Sequence, residues 1–234
     1  APERIRNVAV VGPLNSGKTS LVDLLVLDSH RHLPHVTRNI DLGWKQLRYT
    51  DNAKLEIERG VTMKLNGITF LAADLTSKST VINLLDAPGH VNFIDETAVS
   101  LAASDCAIIC IDVVEGVTSI VENLIRQCQR NSMSLIFVLN KIDRLILELK
   151  LPPMDAYLKL THVVDQINRF TKGCRFYPQL GNVLFASSKL GFTFTIKEFV
   201  NYYYKSTVAN SEIDGFIQRL WGDIYYNAGS FSTG

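Results

Sequence analysis

Charge of one sign is what this sequence most plainly lacks: 24 lysines and arginines face 23 aspartates and glutamates, for a net charge of +1. A near-neutral chain has no global field to draw it onto nucleic acid or a membrane surface. Any RNA contact would be local or would belong to another part of a larger molecule. Cysteine is scarce as well, and Cys106, Cys110, Cys128 and Cys174 have no metal-ligand spacing such as CxxC. Cys106 and Cys110 sit inside the apolar run CAIICIDVV, so they read as free core thiols in a reducing compartment. No apolar stretch approaches the span of a bilayer, and no N-terminal signal pattern is present. The chain therefore reads as soluble and intracellular. Internal repeats and low-complexity tracts are also missing. The sequence enters a strand at once, at Ile5, and ends in the polar tail AGSFSTG, which suggests a piece excised from a longer protein.

What is present is a packed-domain composition, with 47% hydrophobic residues in 234. Apolar runs with the look of buried strands (IRNVAVV, ITFLAADL, TVINLLD, CAIICIDVV, SLIFVLN and NVLFAS) alternate with amphipathic stretches near Lys18–Leu27, Asn92–Ala103, Ser119–Asn131 and Met154–Phe170. That alternation predicts an α/β fold around a mostly parallel sheet. Only TSKS separates the second and third runs, which predicts a hairpin and one antiparallel edge. The stretch from Asp28 to Thr62 is long, polar and weakly periodic, the kind of loop that is functional or mobile. Residues 1–190 read as one domain, and 191–234 as an appended, aromatic-rich helical segment.

Gly12-Pro13-Leu14-Asn15-Ser16-Gly17-Lys18-Thr19 fits GxxxxGK[ST] between a strand and a helix, the context of a P-loop NTPase. Loop amides converge on phosphate oxygens there, and the helix N-terminus favours their charge. Gly12, Asn15, Ser16, Gly17, Lys18, Thr19 and Ser20 are the candidate phosphate-binding residues, with Lys18 on the β- and γ-phosphates and the Thr19 hydroxyl on Mg²⁺.

Asp86-Ala87-Pro88-Gly89 closes the run VINLLD as DxxG, placing a carboxylate where it can hold Mg²⁺ and Gly89 where its amide can meet a γ-phosphate. Asn140-Lys141-Ile142-Asp143 follows SLIFVLN as NKxD. The Asp143 carboxylate can accept from the N1–H and N2–H₂ edge of guanine, whereas adenine would leave it buried and unpaired. Asn140 would buttress the loop or reach the base, and the stem of Lys141 would pack over the ring. Ser187-Ser188-Lys189, after NVLFA, stands where a last base-contacting turn belongs. Together these motifs select GTP over ATP.

The segments Glu56-Ile57-Glu58-Arg59-Gly60-Val61-Thr62 and Asp86-Ala87-Pro88-Gly89-His90-Val91-Asn92-Phe93 resemble the ExERGIT switch and the DxPGHxxF motif of the translational GTPases. The resemblance implies that Thr62 ligates Mg²⁺ while a γ-phosphate is present, that His90 orients the attacking water, and that Leu14 and Val61 gate this histidine. Lys18, Thr62 and His90 are then the catalytic candidates, and Thr19, Thr62 and Asp86 the metal candidates. Within the family, the run from Asn140 through Pro153, with Asp155-Ala156-Tyr157 and Arg219-Leu220-Trp221-Gly222-Asp223-Ile224-Tyr225, is most similar to the spliceosomal branch found in the U5 small nuclear ribonucleoprotein (snRNP). This implies a nuclear GTPase that regulates spliceosome activation and disassembly, partnered by the particle's scaffold protein and, through it, an RNA helicase. The family usually carries His and Asp at the positions of Pro13 and Asn15. Asn15 leaves the site one formal charge less negative, which bears on hydrolysis more than on binding.

His30, His32 and His35 form HxHxxH, but no helix places them and they read as an exposed polar cluster in the switch loop. Arg144–Lys150 reads either as a partner face or as an amphipathic connector. Tyr202, Tyr203 and Tyr204 suit stacking on RNA bases, but better a hydrophobic seam toward a following domain or protein partner. Beside the spliceosomal switch stand a ribosomal translocase, a structural module that holds GTP without turnover, and, more distantly, a P-loop kinase without guanine preference.

Overall fold

The computed structural model describes residues 2–29, 48–51, 53–73, 79–204, 213–222, 224–227 and 230–233. The histidines at 30, 32 and 35 lie outside the described residues. Seven strands form one sheet in the order β2-β3-β1-β4-β5-β6-β7, with β1 Ile5–Val11, β2 Asn66–Ala73, β3 Ser79–Asp86, β4 Cys106–Asp112, β5 Ser134–Asn140, β6 Val183–Ser187 and β7 Phe192–Phe194. The centre is parallel, β1 pairing with β3 and β4, β4 with β5, and β5 with β6. Strand β2 runs antiparallel to β3, which gives the expected antiparallel edge. Strand β7 makes a second antiparallel edge that the sequence reading omitted. Its three residues, FTF, are too few to show an alternation.

The helices are α1 Lys18–Ser29, α2 Lys54–Arg59, α3 Ile94–Ala102, α4 Ser119–Arg130, α5 Asp143–Leu147, α6 Pro153–Phe170, α7 Ile196–Tyr203 and α8 Ile213–Arg219. Alternate residues of one strand serve opposite faces. Val8 and Val10 of β1 pack with Val22 and Val26 of α1, while Ala9 and Val11 join Leu124 and Ile125 of α4 and Val163 and Ile167 of α6. Both faces are thereby covered, which explains why the strands read as continuous apolar runs. Phe137, wholly buried and edge-on to Phe176 at 4.9 Å, contributes on the order of 2–3 kcal/mol by burial alone.

The segment after residue 190 shares this core. Ile196 and Val200 of α7, and Phe216 and Ile217 of α8, belong to the same buried cluster, and Trp221 rests on Tyr157 at 5.2 Å and Phe185 at 5.7 Å. Helix α7 starts in a capping box, Thr195 and Glu198 each accepting from the other's backbone N–H. Part of the stretch read as helical turns out extended: Ile224–Asn227 pairs antiparallel with Ser230–Thr233. Its Ile-Tyr-Tyr composition suits a strand better than a helix.

All parallel strands point their carboxyl ends at one rim, so Val11, Asp86, Asp112, Asn140 and Ser187 end there together. That rim is where ligands bind in open α/β sheets. Among the described residues, no helix is long and apolar enough to cross a membrane.

Candidate functional site

A cleft of about 830 Å³ opens at this rim. Its walls take in Asn15, Gly17, Lys18, Thr19 and Ser20 from the first loop and α1, Gly89 after β3, Asn140, Lys141 and Asp143 after β5, and Ser188 and Lys189 after β6. The motifs separated along the sequence therefore meet in one cavity of a size that suits a nucleotide.

The loop from Gly12 to Lys18 is held by its own side chains and by the strand beneath. Gly12 has φ 155°, and a side chain there would strike the Cys110 carbonyl. Gly17 has φ 89°, and a Cβ would meet the amide nitrogen of Asn140. Asn15, at φ 60°, occupies the left-handed region that Asn tolerates better than most residues. Ser16 is buried, and its hydroxyl donates to Pro13 O at 2.9 Å. Lys18 is also buried, its ammonium donating to the same carbonyl at 2.7 Å. Burial pulls its pKa below the ordinary lysine value, an effect that the neighbouring Cys110 and Asp86 oppose. The Cys110 thiol, pushed up to about 11 by burial, donates to Ser16 O at 3.2 Å, a structural role for a core cysteine. Gly89 lies against the loop, where any side chain would collide with Lys18 Nζ, Pro13 O and Leu14 N.

The three metal candidates converge. The Thr19 and Thr62 hydroxyls lie 3.0 Å apart. Asp86 is fully buried and accepts from the Thr50 hydroxyl at 2.8 Å through one oxygen, while its other oxygen has no partner. Burial lifts its pKa from 3.8 to about 6, against the Thr50 hydrogen bond and the Lys18 charge. Two hydroxyls and a carboxylate with an orphaned oxygen are hard donors that fit Mg²⁺, which takes few protein ligands beside phosphate and water.

Sequence reasoning missed the strap that holds Thr62. Asp51 is buried and accepts from the Thr62 hydroxyl at 2.8 Å, and the Arg48 guanidinium forks onto its other oxygen at 2.7 and 2.6 Å. Asp23 of α1 takes the backbone N–H groups of Arg48 and Tyr49 at 2.8 and 3.0 Å. These residues lie in, or opposite, the aperiodic polar stretch, where no pattern marks them. Glu56, the first acid of the switch motif, is buried and receives N–H bonds from Ala53, Met63 and Lys64, folding α2 back onto the chain after Thr62. Glu96 of α3 accepts from Leu65 N at 3.1 Å just beyond it.

At the other end of the cleft, Asn140 is fully buried and clasps three loops. Its amide donates to Ser16 O at 2.9 Å, and its oxygen accepts from Lys141 N and from both N–H and O–H of Ser188. Ser187 Oγ donates to one oxygen of Asp143 at 2.6 Å, leaving the other to face the cavity. Ser187 itself supports Asp143 and does not line the cleft.

His90 stands half-exposed beside the cleft rather than in its wall. Its Nδ1 accepts from Asn92 N at 3.1 Å, which puts the proton of the neutral ring on Nε2. Leu14 and Val61 do line the cavity.

Comparison with known proteins gives the family. Residues 3–214 match the profile of the Elongation factor Tu GTP binding domain. The chain is 64% identical to the pre-mRNA-splicing factor SNU114 of Saccharomyces cerevisiae over 99% of its length, and 39% identical to the 110 kDa U5 small nuclear ribonucleoprotein component CLO of Arabidopsis thaliana over 97%. It covers 23% of each, so it spans about a quarter of the length of these relatives. Among solved structures, a bacterial selenocysteine-specific elongation factor superposes with a TM-score of 0.57 at 17% identity, covering 88% of this chain and 29% of that one. A protein from Thermus thermophilus superposes with a TM-score of 0.55 at 24% identity, covering 70% and 22%. These two carry the fold alone. From the profile match across nearly the whole chain, this protein belongs to the elongation factor Tu GTP-binding domain family, the translational GTPases.

Proposed function

We propose that the chain is the GTP-binding switch domain of a splicing GTPase of the U5 snRNP, which binds GTP with Mg²⁺ and hydrolyses it to GDP and phosphate. The observation that carries the reading is the junction at Asn140, where one buried amide ties the phosphate loop to the base loop across which Asp143 presents a free oxygen. The likeness to SNU114 and CLO supports the spliceosomal setting, nuclear work and association with the snRNP. The regulation of spliceosome activation and disassembly, through the scaffold protein and its RNA helicase, belongs to the same proposal. So does the division into a G domain at 1–190 and an appended segment at 191–234, the latter packed on the same core and adding the edge strand β7.

Each residue has a task in this reading. Lys18, freed from Pro13 O, turns its ammonium to the β- and γ-phosphates, and the amides from Asn15 to Ser20 surround them. Gly89 offers its N–H to the γ-phosphate. Asp143 accepts from the guanine edge, Lys141 packs its stem on the ring, and Ser188 and Lys189 close the base side. Thr19, Thr62 and Asp86 would hold Mg²⁺, which when bound supplies positive charge to the β- and γ-oxygens. His90 already uses Nδ1 as an acceptor, so it orients water by donating from Nε2 and is no general base. Leu14 and Val61, which line the cleft, would be the apolar gate to this histidine.

A second reading, a module that holds GTP without turnover, is favoured by Asn15 and by the absence of His90 from the cavity wall. Equilibrium competition separates these ideas from a kinase-like fold. The protein, stripped of nucleotide and offered GTP and ATP together with Mg²⁺, should retain GTP by orders of magnitude. Equal retention of ATP would overturn the assignment. Copurification of the parent protein with ribosomal rather than spliceosomal RNA would favour a translocase instead.

A further inference from the structure

Asp112 closes β4 directly opposite Asn140 in the sheet register, and no nucleotide motif includes it. Its side chain is 1% exposed. One oxygen accepts from Lys141 Nζ at 3.0 Å and from Arg144 Nη1 at 2.7 Å, and the other accepts from Val114 N at 2.9 Å. Lys141 is held at both ends. Its backbone adopts φ 63°, rare for a lysine, with its N–H on Asn140 Oδ1 at 2.8 Å, and its ammonium is tethered to Asp112. Its aliphatic stem is thereby drawn along the wall of the cleft. Arg144 also lines the cleft, its guanidinium fixed between Asp112 and, at 2.6 Å, Glu148. An extended alkyl stem beside a flat guanidinium suits the face of a purine.

We propose that Asp112 is a positioning residue for guanine recognition: through Lys141 and Arg144 it fixes the wall on which the base rests. The proposal depends on the reading of Asn140–Asp143 as the base loop. Removing the carboxylate would free the Lys141 stem, leave its ammonium without the Asp112 counter-charge, and hold Arg144 by Glu148 alone. The effect belongs to the base side of the cleft, so it should fall equally on di- and triphosphates. A buried ion pair that merely braces the fold would instead change melting and spare the nucleotide.

The test is release of fluorescent N-methylanthraniloyl GDP and GTP from wild type, Asp112→Asn, Arg144→Gln and the double variant, with thermal melting alongside. Asparagine keeps an acceptor for Val114 N while removing the charge. Loss of a charged hydrogen bond predicts release about tenfold faster in Asp112→Asn, by the same factor for both nucleotides. Arg144→Gln should act in the same sense, and the double variant should be no faster than Asp112→Asn alone. Wild-type release rates in folded Asp112→Asn, or a loss confined to the triphosphate, would overturn the proposal. If Asp112→Asn does not fold, the part-exposed Arg144→Gln decides on the same criteria. Wild-type protein without preference for guanine over adenine would instead sink the underlying reading of the base loop.

Discussion

The hydroxyl oxygens of Thr19 and Thr62 stand 3.0 Å apart although 43 positions separate them in the chain. One opens the helix that follows the phosphate loop, and the other ends the long switch stretch. Asp51 takes a hydrogen bond from Thr62 and is itself neutralised by Arg48, so the switch threonine presents its oxygen to the phosphate loop in a fixed orientation.

If Thr62 completes a Mg²⁺ site only beside a γ-phosphate, Thr62→Ala should weaken Mg²⁺-dependent GTP binding by about tenfold and leave GDP binding near wild type. Titration calorimetry with each nucleotide reads this directly. Equal losses for both would mean that Thr62 acts as a general brace.

Asp143 keeps one oxygen free of Ser187. Asp143→Asn should cost GTP affinity roughly 3 kcal/mol, about two orders of magnitude, and should favour xanthosine triphosphate, whose carbonyl can accept from the new amide. Competition between the two triphosphates on the variant gives the answer, and an unchanged guanine preference would remove Asp143 from the base site.

Asp86 makes the nucleotide-free protein sensitive to pH. Its carboxyl is raised from 3.8 to about 6 by burial, so protonation favours the folded state. That contribution is fully present below about pH 3.8 and is lost as the pH rises through about 6, an interval worth about 3 kcal/mol. Mg²⁺ needs the ionised form, so Mg²⁺-supported nucleotide affinity should rise across the same window. Denaturant titrations at a series of pH values should show the slope, and Asp86→Asn should flatten it while losing the Mg²⁺ dependence.

Gly17→Ala places a methyl group against the Asn140 amide, in a backbone conformation at φ 89°. Strain of about 1–3 kcal/mol and a broken clasp between phosphate and base loops should follow. Nucleotide binding should be lost well before the fold is, which circular dichroism beside a binding assay would separate.

Much of this was legible in the sequence because strand ends and glycines announce themselves. VINLLD, SLIFVLN and NVLFA predict the parallel strands, and the rim where they end collects Asp86, Asn140 and Ser187. The same strand-end rule, applied to CAIICID, would have singled out Asp112. What stayed hidden has no periodic signature. Asp51 and Arg48 lie in the aperiodic stretch before α2, and Asp23 within α1 looks like an ordinary polar helix residue until Arg48 and Tyr49 fold onto it. The three-residue β7 and the paired Ile224–Asn227 depend on partners rather than on local pattern.

The most direct measurement is single-turnover chromatography of the nucleotide bound to purified protein, sampled over time with GTP and Mg²⁺, for wild type and for His90→Ala. A GTPase switch predicts that bound GTP turns into GDP in the wild type, while His90→Ala binds GTP equally well and converts it far more slowly. GTP remaining intact on both proteins would contradict the switch and leave a module that only holds its nucleotide.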